Sequence, residues 1–368
     1  MRNILTVALF CLLLFAGGIS GVLLPDREYS GNEKRMLAQF PEFSANELFS
    51  GRFGSRLETY LSDQFPARDE WVTISTLAER ALGKKEQAGV YFADDGYLIE
   101  IWTDYDKKQF EKNIAAVKHL TDIAAQNGVS LKVMPVSTAA CVLDDKLPAY
   151  APNADQRAVI EAIKKAGLDV VDVTDALRAH RNEYLFYKTD HHWTSLGAYY
   201  AYTEWMRSRS KTALPLSEWT REALCNDFRG TTYMKTGDPF ATYDTIEAYY
   251  RKPAHHVDYN SGYYVTDTIY ERSFLNGSNQ YGVFLNSNQS TTVVSGDGEG
   301  KLLIIKDSYA NTFAQFVVDD FEETHLIDMR FFRGSVQKYI ERNGITEILV
   351  LYNAPNFTAD ADLTRVDR

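Results

Sequence analysis

The chain has 368 residues, 45% apolar and 24% charged, ordinary globular proportions that supply a buried core and exclude a disordered chain. Its 39 Lys+Arg against 50 Asp+Glu leave a net charge of -11, which excludes nucleic acid as the main partner because phosphate binding needs a basic surface. A mean hydropathy of -0.31 excludes a polytopic membrane protein and leaves room for one span. Aromatic residues reach 13%, with 23 Tyr, 20 Phe and 5 Trp, an excess compatible with a sugar-stacking surface.

The first landmark is an uncharged run from Ile4 to Leu24, preceded by Met1-Arg2-Asn3 and closed by Pro25 and Asp26. About 20 apolar residues cross a bilayer as a helix, so residues 1–25 are predicted to form a signal anchor and transmembrane helix. Arg2 is the flanking charge on the amino side, which places that end in the cytoplasm and the rest of the chain outside it. Gly18-Ile19-Ser20 offers a small-x-small cleavage site, so a processed, secreted form is the alternative. Cys141 and Cys225 either pair in an oxidising compartment or stay free.

Residues 26–88 read as a charged helical approach segment. A single α/β domain is expected over 89–368. It begins with Val90-Tyr91-Phe92 and Tyr97-Leu98-Ile99-Glu100-Ile101 around Ala93-Asp94-Asp95-Gly96, a strand-turn-strand signal. Phe110 to Ala125 has helical spacing and ends at Asn127-Gly128, Leu131 to Val136 is a strand, Ala154 to Ala166 a helix and Leu168 to Val173 a strand. A helix is predicted over Ser195 to Arg209. Residues 214–300, rich in Tyr, Thr, Asn, Ser and Gly, break the alternation and read as a β-rich insertion. It then resumes with strands at 302–305, 325–327 and 348–351 and helices at 311–318 and 335–342, the spacing of a parallel sheet.

Two clusters lie where such a sheet binds ligands, outside the carboxyl ends of its strands. Lys306-Asp307-Ser308-Tyr309 follows one strand and opens a helix, and Thr189-Asp190-His191-His192-Trp193-Thr194 precedes another helix. A Ser hydroxyl near neutral pH needs a general base, and the base needs an orienting partner. Asp190 and His192 supply that pair; His191 competes, and in extended structure adjacent side chains point opposite ways, so one imidazole is expected to face Ser308. Asn353 ends the last strand and is either an oxyanion donor or the start of an Asx turn. Arg330 reaches the same edge, as an anion-binding group or as one half of a salt bridge. Asp190-His191-His192 and His255-His256 with Asp258 have metal-like composition, but no metal is expected.

These residues resemble the bacterial DHHW proteins, relatives of the periplasmic alginate O-acetyltransferases with an SGNH-hydrolase-like domain. The resemblance rests on Asp190-His191-His192-Trp193, Lys306-Asp307-Ser308-Tyr309 and Ile327-Asp328-Met329-Arg330-Phe331-Phe332, with Phe65-Pro66-Ala67-Arg68-Asp69 and Asp95-Gly96-Tyr97-Leu98 as further pieces. It implies an SGNH-hydrolase-like three-layer α/β/α fold with a parallel sheet, circularly permuted so that the Asp-His pair precedes the Ser. It further implies Ser308 as nucleophile, His192 as base, Asp190 as its orienter and Asn353 as an oxyanion donor, with Arg330, Tyr309, His191 and Trp193 around the substrate. The alginate enzymes carry a small residue where this chain has His191; the block glycine of SGNH hydrolases has only Gly282 and Gly334 as candidates. The implied activity is acetyl transfer to a cell-surface polysaccharide or cell-wall glycan without a cofactor, the acetyl arriving from a membrane-bound O-acyltransferase. A glycan esterase and a non-catalytic glycan-binding scaffold are the alternatives.

Overall fold

Leu302-Leu303-Ile304-Ile305 is apolar at every position and fully buried, which requires a sheet covered on both faces. The computed structural model of the chain describes residues 2–30, 35–252 and 254–366. Met1–Ala88 with Met234–Pro239 forms one unit, and Gly89–Tyr233 with Phe240–Arg368 a second.

In the second unit the hairpin β1 (Val90–Phe92) and β2 (Leu98–Glu100) pairs antiparallel across Asp94–Gly96. Asp95 and Gly96 take positive φ of 57° and 78° there, the conformation that Asp-Gly accepts readily. Then come α1 (Lys107–Gln126), β3 (Ser130–Val136), α2 (Gln156–Lys165) and α3 (Ser195–Ser208). The expected insertion contains β4 (Thr220–Phe228), β5 (Asp244–Tyr250), β6 (Val257–Tyr259), β7 (Tyr264–Thr266) and β8 (Thr291–Ser295). The chain closes with β9 (Lys301–Lys306), α4 (Tyr309–Val317), β10 (Glu323–Ile327), α5 (Val336–Asn343), β11 (Glu347–Asn353) and α6 (Ala354–Ala359).

The main sheet has the order β7-β6-β8-β10-β9-β11-β3. Pairs β10/β9, β9/β11 and β11/β3 are parallel, whereas β8/β10, β6/β8 and β7/β6 are antiparallel. The sheet is therefore mixed, correcting the expectation of a parallel one. The insertion does not stand apart, because three of its strands extend the sheet edge. Leu168–Val173 also departs from expectation: it reduces to a single bridge between Val170 and Val133.

Alternation along the central strands makes two cores. Leu302 and Ile304 of β9 and Leu349 and Leu351 of β11 join Trp205, Tyr202, Phe313 and Phe316 of α3 and α4. Leu303 and Ile305, with Ile348 and Val350, join Val117, Leu120, Val159, Ile163 and Ile340 of α1, α2 and α5. Three layers result, and the carboxyl ends of β9, β10 and β11 share one edge because their registers are parallel.

The first unit contains the helices Arg2–Leu23, Arg52–Asp63 and Arg68–Ala81. Met234–Pro239 belongs with it through the Thr76 hydroxyl, which donates to the Thr236 carbonyl, and through Arg80, 2.5 Å from Asp238. Among the described residues no helix is long and apolar enough to cross a membrane. The transmembrane anchor expected over residues 1–25 thus receives no support. The run does fold as one helix, and a β-carbon on Gly17 would fall 3.4 Å from the Phe65 ring. Cys141 and Cys225 are both free, which settles the pairing left open by sequence.

Ile304 sits in the middle of the central strand with no exposed surface. Ile304→Ala should lower unfolding stability by about 2–5 kcal/mol, measured by urea denaturation; a loss below about 1 kcal/mol would contradict the two-faced core.

Candidate active site

Ser308 is separated from the end of β9 by Asp307 alone and is the residue before α4, with φ -69° and ψ -14°. Its turn is held by Asp307, whose Oδ1 accepts the Tyr309 N–H at 2.9 Å and whose Oδ2 accepts the Asn353 N–H and the Asn356 Nδ2, both at 2.9 Å. One buried carboxylate therefore ties the end of β9 to the end of β11. Burial pushes the Asp307 carboxyl above its ordinary range, against these bonds and Arg330, which act to lower it.

The Asp-His segment is the tip of a short hairpin. Phe186 bridges Trp193, the Tyr187 N–H donates to the His192 carbonyl at 3.2 Å, and the Thr194 N–H donates to that of Leu185 at 2.8 Å. Thr194 then caps α3 by accepting the Gly197 N–H. Asp244 braces the near side of the tip, accepting from the amides of Lys188 and Thr189 at 2.9 and 2.8 Å.

His192 and Ser308 are brought together across 116 positions of sequence, His192 Nε2 lying 2.7 Å from Ser308 Oγ. His192 Nδ1 lies 2.5 Å from Asp190 Oδ1, which also accepts the His192 N–H at 3.0 Å. Asp190 Oδ2 accepts the Thr231 N–H at 2.8 Å and its hydroxyl at 2.9 Å. With all four bonds made to an acceptor-only carboxylate, the network assigns the His192 proton to Nδ1 and leaves the Nε2 lone pair facing the Ser308 hydroxyl. That is the arrangement by which an imidazole takes a proton from a serine. The Thr231 hydroxyl spends its one hydrogen on Asp190, so the His191 Nδ1, 2.6 Å away, is the donor in that contact.

The expected opposition of the two imidazoles does not occur. Their rings lie 3.9 Å apart, tilted by 36°, because the segment bends around Asp190 instead of extending. On its other face His192 stacks on Tyr281 at 3.8 Å and 11°. The Tyr281 hydroxyl in turn donates to the Ser308 carbonyl at 3.1 Å. The base is thus sandwiched, and only its Nε2 edge meets the serine.

Other predicted residues fall differently. Trp193 and Tyr309 have no exposed surface, so neither is available to a substrate, correcting that expectation. Trp193 Nε1 donates to the Tyr309 carbonyl at 3.0 Å, and the Tyr309 hydroxyl to the His191 carbonyl at 2.5 Å. Both hold the hairpin to the serine turn. Asn353 Oδ1 accepts the Asn356 N–H at 2.8 Å, the capping bond of α6, which leaves its Nδ2 as the group able to donate. Arg330 spans both oxygens of Asp328, at 2.8 and 2.5 Å, and so takes the salt-bridge alternative. Gly282 and Gly334 are required by the rings of Phe274 and Phe332, which a β-carbon would meet at 2.5 and 2.6 Å.

Asp190, His191 and His192 are a group of potential metal ligands within 4.8 Å of one another. The bonds above already occupy His192 Nδ1 and Nε2 and His191 Nδ1, so the donor set fits a proton relay better than a cation. The other suspected set disperses, with His255 Nε2 paired to Asp319 at 2.8 Å. Sequence reasoning missed Thr231 and Tyr281 and the bracing role of Asp307, whose partners are distant in the chain or backbone amides.

The profile described as DHHW protein matches residues 90–327. A DHHW family protein of known structure from Eubacterium siraeum superposes with a TM-score of 0.64 at 26% identity, covering 76% of this chain and 95% of that one. PatB1 of Bacillus cereus, solved with a sulfonyl adduct, superposes at 0.63 with 19% identity over 75% of this chain and 98% of its own, a likeness of fold. The probable alginate O-acetylase AlgJ of Pseudomonas aeruginosa is 26% identical over 176 residues, and the match spans 44% of its length and 44% of this chain.

Two outcomes test this geometry. A β-carbon on Gly230 would lie 2.2 Å from Asp190, so Gly230→Ala should displace the carboxylate and cut any Ser308-dependent turnover at least about tenfold while the circular dichroism spectrum is kept. Full activity would mean that Asp190 does not need its observed position. Lys306 is buried beside Asp328 at 3.7 Å and Asn288 at 3.3 Å, and burial pushes its ammonium down to about 8 from 10.5. Between those values the unfolded chain holds a proton that the folded one lacks, so stability rises with pH, by on the order of 3 kcal/mol. Lys306→Met should flatten that rise in urea midpoints measured from pH 7 to 10.5, and an unchanged slope would refute the burial cost.

Proposed function

The chain belongs to the DHHW family, and from that premise we propose that it is an O-acetyltransferase acting on a polysaccharide outside the cytoplasm. The observation that carries the reading is the continuous Asp190–His192–Ser308 relay, with Nε2 2.7 Å from the hydroxyl. The AlgJ relative, named as a probable alginate O-acetylase, supports a glycan acceptor. The apolar run Ile4 to Leu24 supports export; retention by a membrane-spanning helix is not part of the proposal.

In the first half-reaction Ser308 Oγ attacks the carbonyl of an acetyl ester or thioester as His192 Nε2 takes the hydroxyl proton. The backbone N–H of Ser308 and Asn353 Nδ2 are the donors assigned to the oxyanion, the Tyr309 N–H being spent on Asp307. The bond to the leaving group breaks and that group departs with the proton from His192, leaving acetyl-Ser308. In the second half-reaction a sugar hydroxyl gives its proton to Nε2 and attacks the ester carbon. The Oγ–acyl bond breaks and Ser308 recovers the proton. Asp190 stays ionised throughout and steadies the imidazolium. The resemblance to alginate O-acetyltransferases further suggests a membrane-bound O-acyltransferase as the source of the acetyl group.

Incubation with p-nitrophenyl acetate, with and without acetyl-free oligosaccharide, tests the reading. Acetylated sugar is the expected product; acceptor-independent acetate alone would assign an esterase instead. Ser308→Ala should lower acetyl release by at least about 10³-fold and His192→Ala by about 10²- to 10⁴-fold. His191→Ala should cost less than about tenfold, since its ring orients the base without touching Ser308. Equal losses from the two histidines would sink the assignment of the base.

A further inference from the structure

Arg229 lies between two aromatic rings, its guanidinium carbon 4.4 Å from the centroid of Tyr233 and 4.1 Å from that of Tyr243. Nη1 donates to the Tyr233 hydroxyl at 3.0 Å and Nη2 to the Ala241 carbonyl at 2.7 Å. The cation is fixed in its plane, and a cation held over a ring fixes the ring as well. Tyr243 is nevertheless 59% exposed. With one face on the guanidinium, the other is left to solvent.

Both ends of this stack are tethered to the catalytic hairpin. Arg229 runs directly into Gly230 and Thr231, whose amides donate to Thr189 Oγ1 and Asp190 Oδ2. Tyr243 runs directly into Asp244, whose carboxylate accepts the Lys188 and Thr189 amides. A solvent-facing tyrosine held flat, one residue from a brace of the Asp-His segment, is poorly explained by core packing. It is well suited to a flat, half-apolar ligand.

We propose that Tyr243, backed by Arg229, is a stacking platform for a pyranose ring of the acceptor saccharide, lying along the chain from the unit that meets Ser308. The inference rests on the acyl-transfer reading for the identity of the acceptor. A pyranose presents a C–H face that buries apolar surface against an aromatic ring while its hydroxyls stay in water. Because Arg229 already restrains the tyrosine, little side-chain freedom is lost on binding.

The full chain carrying Ser308→Ala is titrated calorimetrically with two acetyl-free hexasaccharides, β-1,4-mannuronate and cellohexaose. At least one should bind, and adding Tyr243→Ala should raise its Kd about three- to tenfold, the range one aromatic contact is worth. Tyr243→Phe keeps the ring and should stay within about twofold of the parent. The platform is overturned if neither hexasaccharide binds, if Tyr243→Ala binds as tightly as the parent, or if the Phe and Ala variants lose affinity equally. Ser308-dependent acetyl release is read separately on the wild-type chain, so failure of acyl transfer and failure of the platform are distinguishable.

Discussion

The buried carboxylate of Asp307 is the constraint on which the rest of the site depends. Parallel strands share a register but nothing in their ladder fixes the turns beyond it, and β9 and β11 both end where chemistry is required. Asp307 accepts from Tyr309 on one side and from Asn353 and Asn356 on the other, so the turn that carries Ser308 and the strand end that carries Asn353 are held to each other. A buried carboxylate without such partners would cost more than the fold can spare. Charge-assisted bonds of roughly 1.5–3 kcal/mol each offset that cost only when all are made together. The shared edge of the sheet is therefore positioned as one body.

The same logic extends to the imidazole, which is gripped by residues that the insertion supplies. Thr231 completes the shell of Asp190, and Tyr281 covers the face of His192 opposite His191. These contacts close long loops, and their entropy cost is met by the surrounding core and not by the site. Trp193, buried among Phe313 and Trp205 in that core, ties its indole to the Tyr309 carbonyl. Stability and the geometry of the site are in this way drawn from the same packing.

What was legible in the sequence follows from these interactions. Strands buried on both faces declare themselves as unbroken apolar runs, as at Leu302–Ile305 and Ile348–Leu351, which lie inside β9 and β11. β6 and β7 are three residues each and gain their place by pairing, β6 with β8 and β7 with β6, information that lies in the partner and not in the run. The Asp, His and Ser that meet were legible because few side chains can perform that chemistry. Their rotation was not: the rule that neighbours alternate failed at His191 and His192, since the Asp190 side chain accepts the His192 amide and bends the chain. Trp193 and Tyr309 looked like substrate contacts because a motif gives residue type and spacing while burial depends on what folds over it. Arg330 likewise met its counter-ion two residues away, a pairing that competes with any anion from outside.

Whether an acyl-serine is resolved by water or by a sugar depends on relative access to His192, and the geometry bears on that choice. His192 is 5% exposed, with its two faces covered by His191 and Tyr281, so an incoming hydroxyl must arrive along the Nε2 edge beside the half-buried Ser308. Water is abundant there, and a free sugar in dilute solution would lose the competition. A bound one need not, because holding a reactant in place is equivalent to effective concentrations of up to about 10⁵–10⁸ M. A transferase built on this relay therefore needs a surface that keeps the acceptor chain in register with Ser308, and the relay itself offers none. Tyr243 is fixed from behind by Arg229 and joined through Asp244 to the hairpin. In the proposed role it would be that surface, and because the adjoining Asp244 braces the hairpin that orients the base, one set of contacts would both align the proton relay and bias its outcome toward transfer.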